Sequence, residues 1–152
     1  MTATNHVATG ALIGAIIVNP WLAIPLSFFG HFALDALPHY NLDEDDSHSS
    51  RLFLYSLAAD FGLAFGVLLA VLFLAPTNWP VILACAVACA SPDLMWFRYW
   101  MAELKGKKLK LGKIASFHSR IQRYARHSFI NLGVEIIWFI GAISALVYIL
   151  KP

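Results

Sequence analysis

The sequence predicts an all-α polytopic bundle of about five transmembrane helices plus an interfacial amphipathic helix, on three observations. Of 152 residues, 59% are hydrophobic and 13% are charged, whereas a soluble domain carries about 25% charged residues. The apolar residues fall in runs of roughly 17–24, the length that crosses ~30 Å of hydrocarbon as a helix. The charges are segregated between those runs, so the net charge of +2 says little. Membrane lipid is the expected partner, and nucleic acid is not.

Hydropathy places the spans at about 4–18, 21–38, 52–75, 79–98 and 128–150, in one transmembrane domain over 1–152. The first hairpin turns at Asn19-Pro20, and Ala75-Pro76-Thr77-Asn78 makes a second short turn. Between them, Pro38 to Arg51 is polar and acidic, with Asp43-Glu44-Asp45-Asp46 at its centre. Met1 to His6 lacks a basic n-region, so the first apolar run is expected to stay in the membrane. Cys85 and Cys89 lie one helical turn apart in an apolar run, which favours packing thiols over a disulfide.

Orientation follows from the basic segment at 99–127 and its flank. Arg98, Lys105, Lys107, Lys108, Lys110, Lys113, Arg120, Arg123 and Arg126 gather there, while the turns at Pro20 and Pro76 hold no Lys or Arg. The positive-inside rule puts this segment and the N-terminus in the cytoplasm and the C-terminus outside. Trp21 and Trp79 then mark one interface, and Trp96 and Trp100 the other. Within the segment, Ile114, Phe117, Ile121 and Tyr124 recur at helical spacing, which predicts an amphipathic helix in the headgroup region. Gly10-x-x-x-Gly14 and Gly62-x-x-x-Gly66 read as seams where helices approach closely.

The ionisable residues of the spans are His6, His31, Asp35, His39, Asp60, Asp93, His127 and Glu135. On this topology all fall in the cytoplasmic half. Asp60 lies about 13 Å beyond Arg51, and Glu135 about 12 Å beyond His127, at 1.5 Å per residue. Residues four apart share a helix face, so Ser27, His31, Asp35 and His39 form one polar stripe and His127, Asn131 and Glu135 another. An acid at the bilayer centre costs about 2.5–3.5 kcal/mol on insertion scales, and such residues usually face the bundle interior. Interhelical hydrogen bonding returns only ~0.6 kcal/mol per contact. Convergence on one functional pocket explains the set better than separate accidents do.

Mixed imidazole and carboxylate suit a divalent metal, zinc first, with manganese or iron as alternatives. The candidate ligands are His6, His31, Asp35, His39, Asp93 and His127, more than one tetrahedral ion needs, so one or two ions are expected. Asp60 and Glu135 are candidates to orient a ligand or act as general base, and His118 to fold back over the pocket. Arg98, Arg120, Arg123 and Arg126 are placed to hold a phosphate at the mouth. His48, in the polar loop, is expected to be solvated.

Three segments resemble the membrane-bound metal-dependent hydrolases of bacterial inner membranes: Thr4-Asn5-His6-Val7-Ala8-Thr9-Gly10, Ser91-Pro92-Asp93, and Arg123-Tyr124-Ala125-Arg126-His127-Ser128. The resemblance implies metal-dependent hydrolysis, of phospholipid-like esters, and transfers to His6, Asp93 and His127. Two departures stand out. Leu94-Met95-Trp96 follows Asp93 where the family has a second acid or histidine, and Arg126 precedes His127 where it has threonine. The expected activity is therefore hydrolysis of a lipid-embedded ester or phosphoester at a cytoplasm-facing His/Asp metal site. A metal-ion or proton transporter and a non-catalytic metal- or heme-binding subunit are the rivals. The outer half lacks comparable polar residues, which speaks against a continuous ion path.

Overall fold

The computed structural model describes residues 1–40, 51–75, 77–125 and 128–151. The acidic 41–50 loop with His48, and both Arg126 and His127, lie outside the described residues. The chain is all-helical: α1 (Ala3–Ile16), α2 (Pro20–Asp35), α3 (Arg51–Leu74), α4 (Trp79–Ala90), a 3-10 turn (Ser91–Asp93), α5 (Leu94–Leu104), α6 (Lys113–Ile121) and α7 (Phe129–Leu150).

Each start has a local cause. The side chains of Thr2, Asn19 and Ser128 accept the backbone N–H groups of Asn5, Trp21 and Asn131, capping α1, α2 and α7. Pro20 and Pro80 occupy first-turn positions, where the missing N–H has no helical partner to lose. Pro92 acts differently, because it falls mid-span. It cannot donate, and the helix tightens to 3-10 at Ser91–Asp93 before continuing as α5.

Length separates the helices into two groups. α3, α7 and the 26-residue stretch Trp79–Leu104 are long and apolar enough to cross a membrane. α1 and α2 hold 14 and 16 residues, short of the ~20 that span a bilayer upright. Among the described residues three helices, rather than the expected five, meet the length of a span unaided. The helices nonetheless expose many large apolar side chains, with Trp21 87%, Phe73 83% and Phe129 93% exposed, as contact with lipid requires.

α1 is the centre of the bundle, packed against α2, α3, α4 and α7. Its apolar face (Val7, Ala11) joins Ala64, Val67 and Val71 of α3, Ile82 and Ala86 of α4, and Leu146 of α7 in one core. The Gly10-x-x-x-Gly14 seam makes this possible. A Cβ at Gly10 would stand 2.4 Å from the Cys85 carbonyl oxygen, and one at Gly14 2.8 Å from the Ile82 Cα. Gly62 and Gly66 behave differently: a Cβ at either meets nothing within 4 Å among the described residues. Their seam faces outward.

Candidate metal centre

Asp35 ends α2, fully buried, and its carboxylate organises the site. Oδ2 lies 2.6 Å from His118 Nε2, 3.1 Å from His31 Nε2 and 2.9 Å from the Gln122 amide nitrogen. Oδ1 lies 3.1 Å from His6 Nε2 and also receives the Met1 ammonium. Asp93, held at the 3-10 turn and 31% exposed at its side chain, closes the group. Its Oδ1 is 3.7 Å from both His31 Nε2 and His118 Nε2, and its Oδ2 3.8 Å from His6 Nε2. His31, Asp35, Asp93 and His118 each offer a ligand atom, all within 4.8 Å of one another.

The spacing fits a metal. Bonds of ~2.0–2.1 Å at tetrahedral angles put neighbouring N and O ligand atoms about 3.3 Å apart. The separations among these donors, 2.6, 3.0, 3.1 and 3.7 Å, bracket that value. Ligand orientation fits as well. His31 Nδ1 lies 2.8 Å from the Cys89 carbonyl oxygen, an atom that only accepts, so Nδ1 carries the proton. In the neutral ring Nε2 is then a lone pair aimed at Asp35 and at His118 Nε2, 3.0 Å away. Two nitrogen donors and a carboxylate at such range call for a cation or proton between them. Phe32 and Trp96 stand 5.5 and 5.6 Å from the His118 ring, forming an apolar wall that keeps the charges desolvated.

His118 reaches the site because α6 folds back under the bundle. It and Ala115 are the buried residues of that helix, while Ile114 is 72% and Phe117 56% exposed. Sequence placed His118 as a catalytic candidate, and the structure puts it among the ligand atoms. Gln122, four residues on, was not anticipated, although the His118/Gln122 spacing of one helical turn was the available signal.

The remaining candidates fall elsewhere. Asp60, expected as an orienting group or base, caps α1: it accepts from Ala3 N at 2.7 Å, Thr4 N at 2.9 Å and the Thr4 hydroxyl at 2.6 Å. A carboxylate against a helix N-terminus neutralises orphan donors and the positive dipole end. Glu135 does related work, accepting from Thr2 N, the Thr2 hydroxyl and the Asn5 side-chain amide. These two acids line a separate cleft of about 290 Å³ with Thr2, Thr4, Asn5 and Phe139.

His39 also stands outside the four-residue group. Its Nδ1 donates to Leu37 O at 2.9 Å, and its carbonyl receives Asn131 Nδ2 at 2.8 Å. Burial, then the positive chain end, holds its imidazole below the ordinary range. Arg120 and Arg123 line a groove of about 240 Å³ with Ala36, Ile121 and Tyr124. The Arg98 guanidinium lies 4.8 Å over the Tyr99 ring.

No protein-family model matches the chain, and no curated protein or solved structure is detectably similar to it. What defines the molecule is a helical bundle with a buried His/Asp cluster that can hold a metal ion, beside helices able to cross a membrane.

Proposed function

We propose that the chain is an integral membrane metal-dependent hydrolase acting on a lipid-embedded ester or phosphoester. One observation carries the reading: two imidazoles and two carboxylates converge from α2, the 3-10 turn and α6, with one carboxylate partly open. His31, Asp35, Asp93 and His118 would hold the ion, and zinc suits their N/O donor set best. A divalent ion there supplies Lewis acidity toward a carbonyl or phosphoryl oxygen.

The protein's own groups do the rest. Asp93 leaves the approach open, while Phe32 and Trp96 exclude bulk water from the other side. Gln122 holds Asp35 in register. Its neighbours Arg120 and Arg123 face the groove that also contains Ala36, the residue after Asp35. An anionic headgroup seated on those guanidinium groups lies beside the cluster, with its chains left in lipid. The basic segment supports a cytoplasmic position for this face, N-terminus inside and C-terminus outside, and the resemblance noted above supports a bacterial inner membrane. The short motifs around His6, Asp93 and His127 support the same assignment.

The test uses purified protein in lipid nanodiscs, with elemental analysis and a panel of phospholipids and polyprenyl phosphates. Product release that stops on chelation and returns with Zn²⁺ or Mn²⁺ is expected. Asp93→Asn should lower turnover at least about a hundredfold by deleting an anionic ligand. Metal or proton flux in proteoliposomes, with no product from any lipid, would replace the enzyme by a transporter.

A further inference from the structure

We propose that this centre takes two divalent cations, bridged by Asp35 and Asp93, with His6 as the terminal ligand of the second. The inference rests on the metal-site reading above and extends it to a second ion.

Both carboxylates divide their oxygens in the same sense. Asp35 turns Oδ2 to His31 and His118, at 3.1 and 2.6 Å, and Oδ1 to His6, at 3.1 Å. Asp93 turns Oδ1 to His31 and His118, at 3.7 Å each, and Oδ2 to His6, at 3.8 Å. A carboxylate serving one ion has no need to address both sides. Two that do so in parallel form the frame of a dinuclear site, whose ions sit roughly 3.5–4 Å apart.

The histidine rings give an independent measure of that separation. His6 and His31 stack with centroids 4.0 Å apart and planes 24° apart, and each directs Nε2 at the Asp35 carboxylate. Ions borne on two such parallel nitrogens lie about one ring spacing apart, which agrees with the bridged distance. His6 is fully buried, so it answers to no solvent partner. It also lies outside the group whose ligand atoms fall within 4.8 Å, too far round the carboxylates to complete the first ion's shell. The Met1 ammonium rests on the same Asp35 oxygen as His6, so an ion on that side takes the ammonium's place.

Formal charge then narrows the substrate. Two carboxylates balance one divalent ion, and a second leaves the pocket two charges positive. An anionic substrate restores neutrality and a neutral ester does not. The second ion therefore favours a phosphoester over a carboxylic ester.

Chelator-stripped protein in nanodiscs, titrated with Mn²⁺ and followed by elemental analysis and electron paramagnetic resonance, tests this without turnover. Wild type should take up two ions per chain and give a spin-coupled spectrum. His6→Gln should bind one ion and give the spectrum of isolated Mn²⁺, and Asp35→Asn should lose the coupling. The wild-type stoichiometry and coupling decide the matter even where a variant folds poorly. A single uncoupled ion in wild type, unchanged in His6→Gln, would overturn the second site and leave the first standing. No bound ion in wild type would overturn the metal reading itself.

Discussion

Between Gly10 and the wall of α4 there is no room for one methyl group. Its Cβ would meet the Cys85 carbonyl oxygen at 2.4 Å and the Ala86 Cα at 2.7 Å, and both are backbone atoms that cannot swing aside. Gly10→Ala should destabilise the bundle by about 1–3 kcal/mol, the usual cost of overpacking a tight core. Gly62→Ala should be neutral or stabilise by up to ~1 kcal/mol, because it meets nothing and improves helix propensity. Unfolding in detergent measures both, and equal losses would refute the asymmetry. The contrast marks the limit of sequence at this scale. Both glycine pairs carry the same four-residue spacing, and nothing local says which one meets a neighbour. Asp60 shows the same limit. Its type and depth suggested a base, but a carboxylate beside a helix start reads as a cap only once α1 is seen to begin against it. Asp35 was legible because its own stripe, with His31 one turn earlier, already required an inward face.

α6 is the element on which the site depends, and its hold on the bundle is slight. Its buried side chains are Ala115 and His118, and His118 and Gln122 tie it to Asp35. Phe117 adds a ring contact with Phe32 at 5.9 Å, while Ile114 and Phe117 otherwise face outward, as an interfacial helix requires. The spacing of Ile114, Phe117 and Ile121 made this helix visible in the sequence. Which way His118 turned was not, since an amphipathic pattern fixes a face and leaves its partner open. Docking of α6 should therefore depend on the histidine more than on the apolar residues. Ala115→Cys, 3% exposed in the parent residue, should react slowly with a maleimide in an otherwise native protein, with Cys85 and Cys89 both buried. Adding His118→Ala should raise that rate by an order of magnitude or more, and bound metal should slow it in the parent. Equal rates in the two proteins would mean that α6 is held by something else.

At the scale of the whole molecule, polar and apolar chemistry are segregated along the bundle axis. His6 of α1 meets Asp35 at the end of α2, Asp60 near the start of α3 caps α1, Asp93 closes α4, and Glu135 lies near the start of α7. Adjacent helices thus run in alternate directions, with these acids at one end. Hydropathy made this arrangement legible, because charge segregation and loop charge are sequence properties. It could not decide how far α1 and α2 reach, because helix ends depend on capping and turn geometry as well as on apolar content. At 1.5 Å per residue these helices measure about 21 and 24 Å, against ~30 Å of hydrocarbon. A hairpin returns to the side from which it started, so three spans and five predict the same termini: N-terminus inside, C-terminus outside. The turn at Asn19 distinguishes them. Five spans require Asn19 to reach the outer face, where Ile16, Val18 and Trp21 are already 61, 55 and 87% exposed around it. Asn19→Cys in intact cells should then react with a membrane-impermeant maleimide, as Asn78→Cys in the other outward turn should, while Ser119→Cys should not. Labelling at Asn78 without labelling at Asn19 would make α1–α2 a re-entrant hairpin inside a three-span protein. Labelling at Ser119 in intact cells would invert the orientation altogether.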